Sequence, residues 1–132
     1  MRRTKLFSTI MLMVGLSLAP AGAALAATQA PYTQQAFATS QKDGKPILID
    51  ISATWCPTCA KQHPIIDDLA AKSDFKDLVI YKVDFDTQKD VVRAFGAKMQ
   101  STLIVFRGST EQGRSVGDTN PDSIKALLEK SH

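Results

Sequence analysis

The sequence predicts one α/β domain built on a central mixed β-sheet of about four to five strands flanked by helices. Three observations carry that reading. Short apolar, β-branched runs alternate along the chain with segments of helical period, the pattern of parallel strands joined by right-handed crossovers. The last two strand-like runs follow one another with no helix between them, which adds an antiparallel hairpin at one edge. The chain has 132 residues, enough for one core and too few for two.

Taken in order, Ala27 to Tyr32 is a small and polar lead-in with weak strand character. Thr33 to about Gln41 reads as a short helix, with Thr33 as N-cap, Ala36 and Phe37 as its apolar contacts, and Lys42-Asp43-Gly44-Lys45-Pro46 as its stop. Ile47-Leu48-Ile49-Asp50-Ile51 is nearly continuous in β-branched residues, as expected of a strand covered on both faces. Pro57 to about Lys72 is helical, and Ile65, Ile66, Leu69 and Ala70 fall on one stripe. Leu78 to Val83 is a second apolar strand; Thr87 can cap a helix running to about Phe95, closed by Gly96. Thr102 to Phe106 is a third strand, and Arg114-Ser115-Val116 a short fourth, reached through a turn region from Gly108 to Gly113. Asn120-Pro121 opens the last helix as cap and first helical residue, with Ile124, Leu127 and Leu128 on its buried face.

The formal charge of +3 has a local origin. Of the sixteen basic residues, Arg2, Arg3 and Lys5 lie in residues 1–26, where there is no acid; the other 106 residues carry thirteen of each sign and are neutral. That balance disfavours a nucleic-acid binder. The basic cluster, the uncharged run from Leu6 to Ala19 and the small-residue stretch from Pro20 to Ala26 have the layout of a secretory signal peptide. The apolar run is 14 residues long, short of the roughly 18–20 that span a hydrocarbon core. Ala24-Leu25-Ala26 fits the small-x-small cleavage rule, so cleavage after Ala26 leaves residues 27–132 as the mature domain. The expected destination is the periplasm of a bacterium, a compartment that permits disulfides.

Two cysteines cannot build a disulfide framework or a four-sulfur metal site. They stand as Trp55-Cys56-Pro57-Thr58-Cys59, where the first buried strand hands over to a helix. A C-x-x-C at a helix start sets the first sulfur beside free backbone N–H groups and the positive end of the helix dipole, which favours thiolate. The second sulfur lies about one turn further in, within reach of the first. Such a pair can attack a disulfide with one sulfur and resolve the mixed disulfide with the other. A purely structural bridge over so short a loop stabilises little through chain entropy. Pro57, at the first helical position, forfeits no hydrogen bond.

With those residues, the chain resembles the thioredoxin family over essentially all of the region after the leader. The resemblance is carried by Ile47-Leu48-Ile49-Asp50 leading into Ala53-Thr54-Trp55-Cys56-Pro57-Thr58-Cys59, by Pro64, by Lys82 with Asp84, by Phe95-Gly96, by Thr102-Leu103 with Phe106, and by Val116-Gly117. It implies a thioredoxin fold and a thiol–disulfide oxidoreductase with no organic cofactor, acting through a redox-active Cys56–Cys59 disulfide on protein thiols and disulfides. It implies that Cys56 attacks and Cys59 resolves, that Asp50 is the buried aspartate accepting a proton from Cys59, and that Lys82 is its charge partner across the sheet. An aspartate within an apolar strand is costly to bury as an anion unless such a partner offsets the cost. Trp55 is expected as a lid over the sulfurs and part of a docking surface, with Pro57, Thr58, Gln100 and Ser101 also meeting substrate. A monomer is expected. An exported pair also needs a membrane partner: a thiol–disulfide electron carrier if it reduces its substrates, an oxidase if it oxidises them.

Three departures from the family pattern stand out. The residues between the cysteines are Pro57-Thr58 rather than Gly-Pro, and this dipeptide influences redox poise. Ser52 replaces a tryptophan usual in thioredoxins, which reads as packing variation. Ser101 stands where the family has a cis proline before the third strand, so the Gln100–Ser101 bond is expected to be trans. The loss of that ring also admits a second reading, in which the two cysteines hold a soft metal or an iron–sulfur cluster shared between subunits. His63 lies four residues after Cys59 and shares its helical face, a place from which it could tune a thiol or ligate a metal; a partly exposed helix residue is the plainer reading.

Overall fold

The computed structural model describes residues 26–132, so the expected leader lies outside the described residues except for Ala26. The chain runs β1 (Thr28–Pro31), α1 (Gln34–Lys42), β2 (Pro46–Ser52), α2 (Pro57–Ala70), a 3-10 turn at Ser73–Phe75, β3 (Val79–Asp84), α3 (Lys89–Ala94), β4 (Thr102–Arg107), β5 (Thr110–Val116) and α4 (Pro121–Glu129). The five strands form one sheet in the order β1-β3-β2-β4-β5. β1 and β2 flank β3 in parallel, whereas β4 is antiparallel to both β2 and β5. The mixed five-stranded sheet flanked by helices is the architecture the sequence predicts.

One pairing differs from the alternation rule. A helix separates β3 from β4, yet β4 runs against β2, with Ile51 opposite Thr102 and Pro46 opposite Arg107. Helix length explains it. α2 has 14 residues, a rise of about 21 Å that matches a six-residue strand of about 20 Å and returns the chain for a parallel β3. α3 has six residues, a rise of about 9 Å, so the chain re-enters the sheet at the end it has just left and must run back.

The caps are local chemistry. Thr33 Oγ1 accepts the Ala36 N–H at 3.2 Å, and Asn120 Oδ1 accepts the Ser123 N–H at 3.0 Å. α3 ends in a Schellman pair, Gly96 N–H to the Arg93 carbonyl and Ala97 N–H to the Val92 carbonyl, with Gly96 at φ 64°. Its start differs from expectation. Thr87 caps nothing, because the Asp84 carboxylate takes the Asp86 and Thr87 N–H groups and the helix begins after Gln88 without a side-chain cap. β5 is also longer than expected. A two-residue turn, with Gly108 at φ 55°, joins the strands directly, and the mostly exposed edge strand needs no apolar run to mark it.

The period-two alternation of β2 splits the core. Ile47, Ile49 and Ile51 face Tyr32, Phe37, Tyr81, Val92, Ile104 and Phe106. Leu48 faces the opposite way, toward Ile66 and Leu69 of α2 and Ile124 and Leu128 of α4. Asp50 shares the parity of Leu48, which turns it to the α2 side. Phe37 holds the first layer together, with ring centroids 5.4–6.2 Å from those of Tyr32, Tyr81, Phe95 and Phe106. Truncating it in Phe37→Ala is expected to destabilise the domain by about 3–5 kcal/mol, measured as a fall in the urea midpoint with an unchanged slope.

Candidate active site

β2 ends at Ser52, and a short turn, closed by the Cys56 N–H on the Ala53 carbonyl at 3.2 Å, delivers Cys56 to the N-cap of α2. Pro57 follows at the first helical position, where its missing N–H costs nothing. The Cys59 N–H points back at the Cys56 sulfur, 3.1 Å away. The cap that a serine or aspartate oxygen usually supplies is here a sulfur atom. In the reduced state that donor and the helix dipole favour thiolate on Cys56. The structure joins Cys56 to Cys59 as a disulfide with a Cα–Cα distance of 5.3 Å, within the usual range. Both residues are buried, and with Ala53 and Phe85 they form a small apolar cluster of their own.

Trp55 is 58% exposed and its indole N–H donates to Asp86 at 2.7 Å, so the ring is fixed from the loop after β3 and not by core packing. Pro57 is exposed and Thr58 half-buried. Gln100 is half-buried; Ser101 is buried, with its hydroxyl donating to the Gln100 carbonyl at 2.6 Å. Among the described residues there is no cis peptide bond, and Ser101 alone among non-glycine residues has positive φ, at 57°. A side chain in the left-handed region costs roughly 1–2 kcal/mol, so the loop must be held from outside.

Gln62 does the holding. It is fully buried in α2, three residues after Cys59, and its amide donates to the Ser101 carbonyl at 3.3 Å and the Asp118 carbonyl at 2.8 Å. The Ser101 carbonyl also accepts the Gly117 N–H at 2.9 Å. Helix α2, the loop before β4 and the loop after β5 are thereby tied at one side chain. The sequence analysis does not single out Gln62; its signal is a polar residue on the same helical face as Cys59.

Asp50 is 1% exposed. Lys82 stands beside it in the β2–β3 register, but among the described residues the side chain within ion-pair reach of Asp50 is His63, with Nε2 3.4 Å from Oδ2. Among the described residues, neither carboxylate oxygen has a hydrogen-bond partner. The side-chain contact with Asp50 raises His63 above the ordinary histidine pKa, while partial burial and the Lys82 cation pull the other way. His63 therefore belongs with the site, where its spacing alone made an ordinary helix residue the plainer reading. The metal or cluster alternative gains no support: the two sulfurs are bonded to each other, and no group of three metal-binding side chains occurs among the described residues.

Residues 28–130 match the family described as Thioredoxin. A thioredoxin of Chlamydia muridarum is 35% identical over 98 residues, which is 74% of this chain and 93% of that one. Among solved structures, Trxlp from Edwardsiella tarda EIB202 is 40% identical, with a TM-score of 0.75 and coverage of 76% of this chain and 98% of that one. Thioredoxin NaTrxh from Nicotiana alata is 27% identical, with a TM-score of 0.69 and coverage of 80% and 91%.

Replacing the bridging amide in Gln62→Leu keeps the volume but strands the Asp118 carbonyl. The expected cost is about 1–3 kcal/mol by urea titration, with faster amide exchange at Gly117, whose acceptor is the freed Ser101 carbonyl.

Proposed function

The chain belongs to the thioredoxin family of disulfide oxidoreductases, and we propose that it exchanges disulfides with protein substrates in an exported compartment through Cys56 and Cys59. The observation that carries this reading is the Cys56 sulfur set at the α2 N-terminus with the Cys59 N–H aimed at it and Cys59 within disulfide distance. In the reducing direction, Cys56 thiolate attacks a substrate disulfide, bonding to one sulfur and releasing the other as thiolate. Cys59 then gives its proton to Asp50 and attacks the Cys56 sulfur. The mixed disulfide breaks, the second substrate thiolate leaves, and two electrons have passed to the substrate. In the oxidising direction the same steps run backwards.

Exposed Trp55 and Pro57 favour an open docking surface for a protein over a pocket for a small molecule. A cavity of about 400 Å³ opens beside Lys82, Ser52 and Gln88 and includes neither cysteine. The backbone around Gln100 and Ser101 is the segment that pairs with an extended substrate chain, and its trans, left-handed shape alters which chains fit. The domain works as a monomer and is recycled by a membrane thiol–disulfide partner.

Export is supported by the leader-like sequence of residues 1–26. Ala27, the residue left first by cleavage after Ala26, donates to the Ala70 carbonyl at 2.8 Å, and Thr28 to the Leu78 carbonyl at 3.0 Å. Cleavage after Ala26 therefore keeps β1 and these backbone bonds within the mature domain.

Two experiments test the reading. In an insulin-reduction assay, Cys56→Ser is expected to abolish turnover, whereas Cys59→Ser accumulates a mixed disulfide with substrate on non-reducing gels; wild-type turnover in Cys56→Ser defeats the assignment. For export, the full chain expressed in a Gram-negative host should appear in the periplasmic fraction with Ala27 as its first residue by intact mass, and an uncleaved cytoplasmic product would contradict it.

A further inference from the structure

Proton traffic at Asp50 poses a problem that the pair of cysteines does not solve. Each resolving step in the reducing direction leaves a proton on a carboxylate that is 1% exposed and sealed beneath α2. Resolution goes to completion only as that proton is drawn off toward water. On the α2 side of β2 the carboxylate meets His63, with Nε2 3.4 Å from Oδ2, and the imidazole is itself 35% exposed. The buried Nε2 edge of the ring thus meets the acid while the rest of the side chain reaches solvent. Both Asp50 oxygens and His63 Nε2 are buried and have no hydrogen-bond partner among the described residues, so no other described side chain competes for the proton between them.

We propose that His63 is the solvent-side member of a proton relay, taking from Asp50 the proton that Cys59 releases and passing it to water. This rests on the oxidoreductase reading above and adds a residue to its proton path. His63 touches neither sulfur; it acts through Asp50 and is a positioning residue. The relay balances as a proton transfer alone: neutral His63 accepts at Nε2, Asp50 returns to carboxylate, the imidazolium loses its Nδ1 proton to solvent, and exchange with water restores the Nδ1–H tautomer for the next cycle. In the oxidising direction the same path delivers the proton to Cys59.

The charges around the ring fit that task. Asp50 from β2 and Asp67 from the same helix favour imidazolium, while Lys82 from β3 opposes it. Asp50 prevails and holds His63 above the ordinary histidine value of 6.5, and an imidazole is the side chain suited to taking and returning a proton. Because acceptance requires the neutral ring, resolution should accelerate as pH rises through the His63 titration.

The test uses reduced full-length mature protein mixed with an aromatic disulfide of the thionitrobenzoate type in a stopped-flow spectrometer. The first coloured thiolate reports attack by Cys56; the second reports resolution by Cys59. In wild type, the second phase should rise with pH through the His63 titration, a dependence that both His63→Gln and His63→Ala lose, with resolution slowed about 100-fold at about pH 7. A packing role would scale the rate equally at every pH, so either variant keeping the wild-type pH profile overturns the relay. In folded wild type, the His63 imidazole followed by NMR should titrate above 6.5 and fall in Asp50→Asn; an unmoved titration also overturns it. Absence of both phases in wild type defeats the oxidoreductase reading itself, which distinguishes the two failures.

Discussion

A strand covered on both faces has no solvated side on which to keep a charge, and β2 nevertheless carries Asp50. Its neighbours Ile47, Leu48, Ile49 and Ile51 are fully buried, and alternation sends the isoleucines to one layer and Leu48 and Asp50 to the other. An acid placed there can meet only what α2 and the flanking strands present. The position of α2 is set by the same strand, because the turn from Ser52 to Cys56 joins them. One run of residues therefore fixes the buried carboxylate, the helix start that bears the sulfurs, and the distance between them. A charged group in such a setting persists only when a partner or a proton compensates it, and the neighbourhood of His63 and Lys82 supplies both routes.

The helix start makes the second contribution. Cys56 replaces an oxygen cap with a sulfur and takes the Cys59 N–H, so the group that stabilises the helix end is the group that reacts. Pro57 fixes the backbone without sacrificing a donor. The cap is in place with the disulfide formed, so the bridge does not unwind the helix start.

Opposite the helix, the loop before β4 holds a non-glycine residue in a conformation it does not prefer. Ser101 is held there by two donors on its carbonyl, Gln62 and Gly117, and by its own hydroxyl on Gln100. Backbone strain of this kind persists only where the surroundings over-determine it. In place of a fixed proline ring, this chain shapes the loop with a buried amide from the very helix that carries the cysteines.

The sequence by itself determined whatever depends on neighbours along the chain. Helix and strand periods, the Thr33 and Asn120 caps, the Gly96 stop and the Cys56 position at a helix start are all local, and each was legible. Ordered motifs likewise identified the family. Tertiary structure decided what depends on distance through space. The reversal of β4 followed from the length of α3; the tether on Ser101 came from Gln62, an unremarked polar residue on a helix; and the ion pair on Asp50 came from His63, thirteen positions away in sequence, while the expected Lys82 lay beside it in register. Periodicity reports which face a residue occupies, but which buried polar atoms meet is fixed by how helix and sheet pack, and no local pattern encodes that.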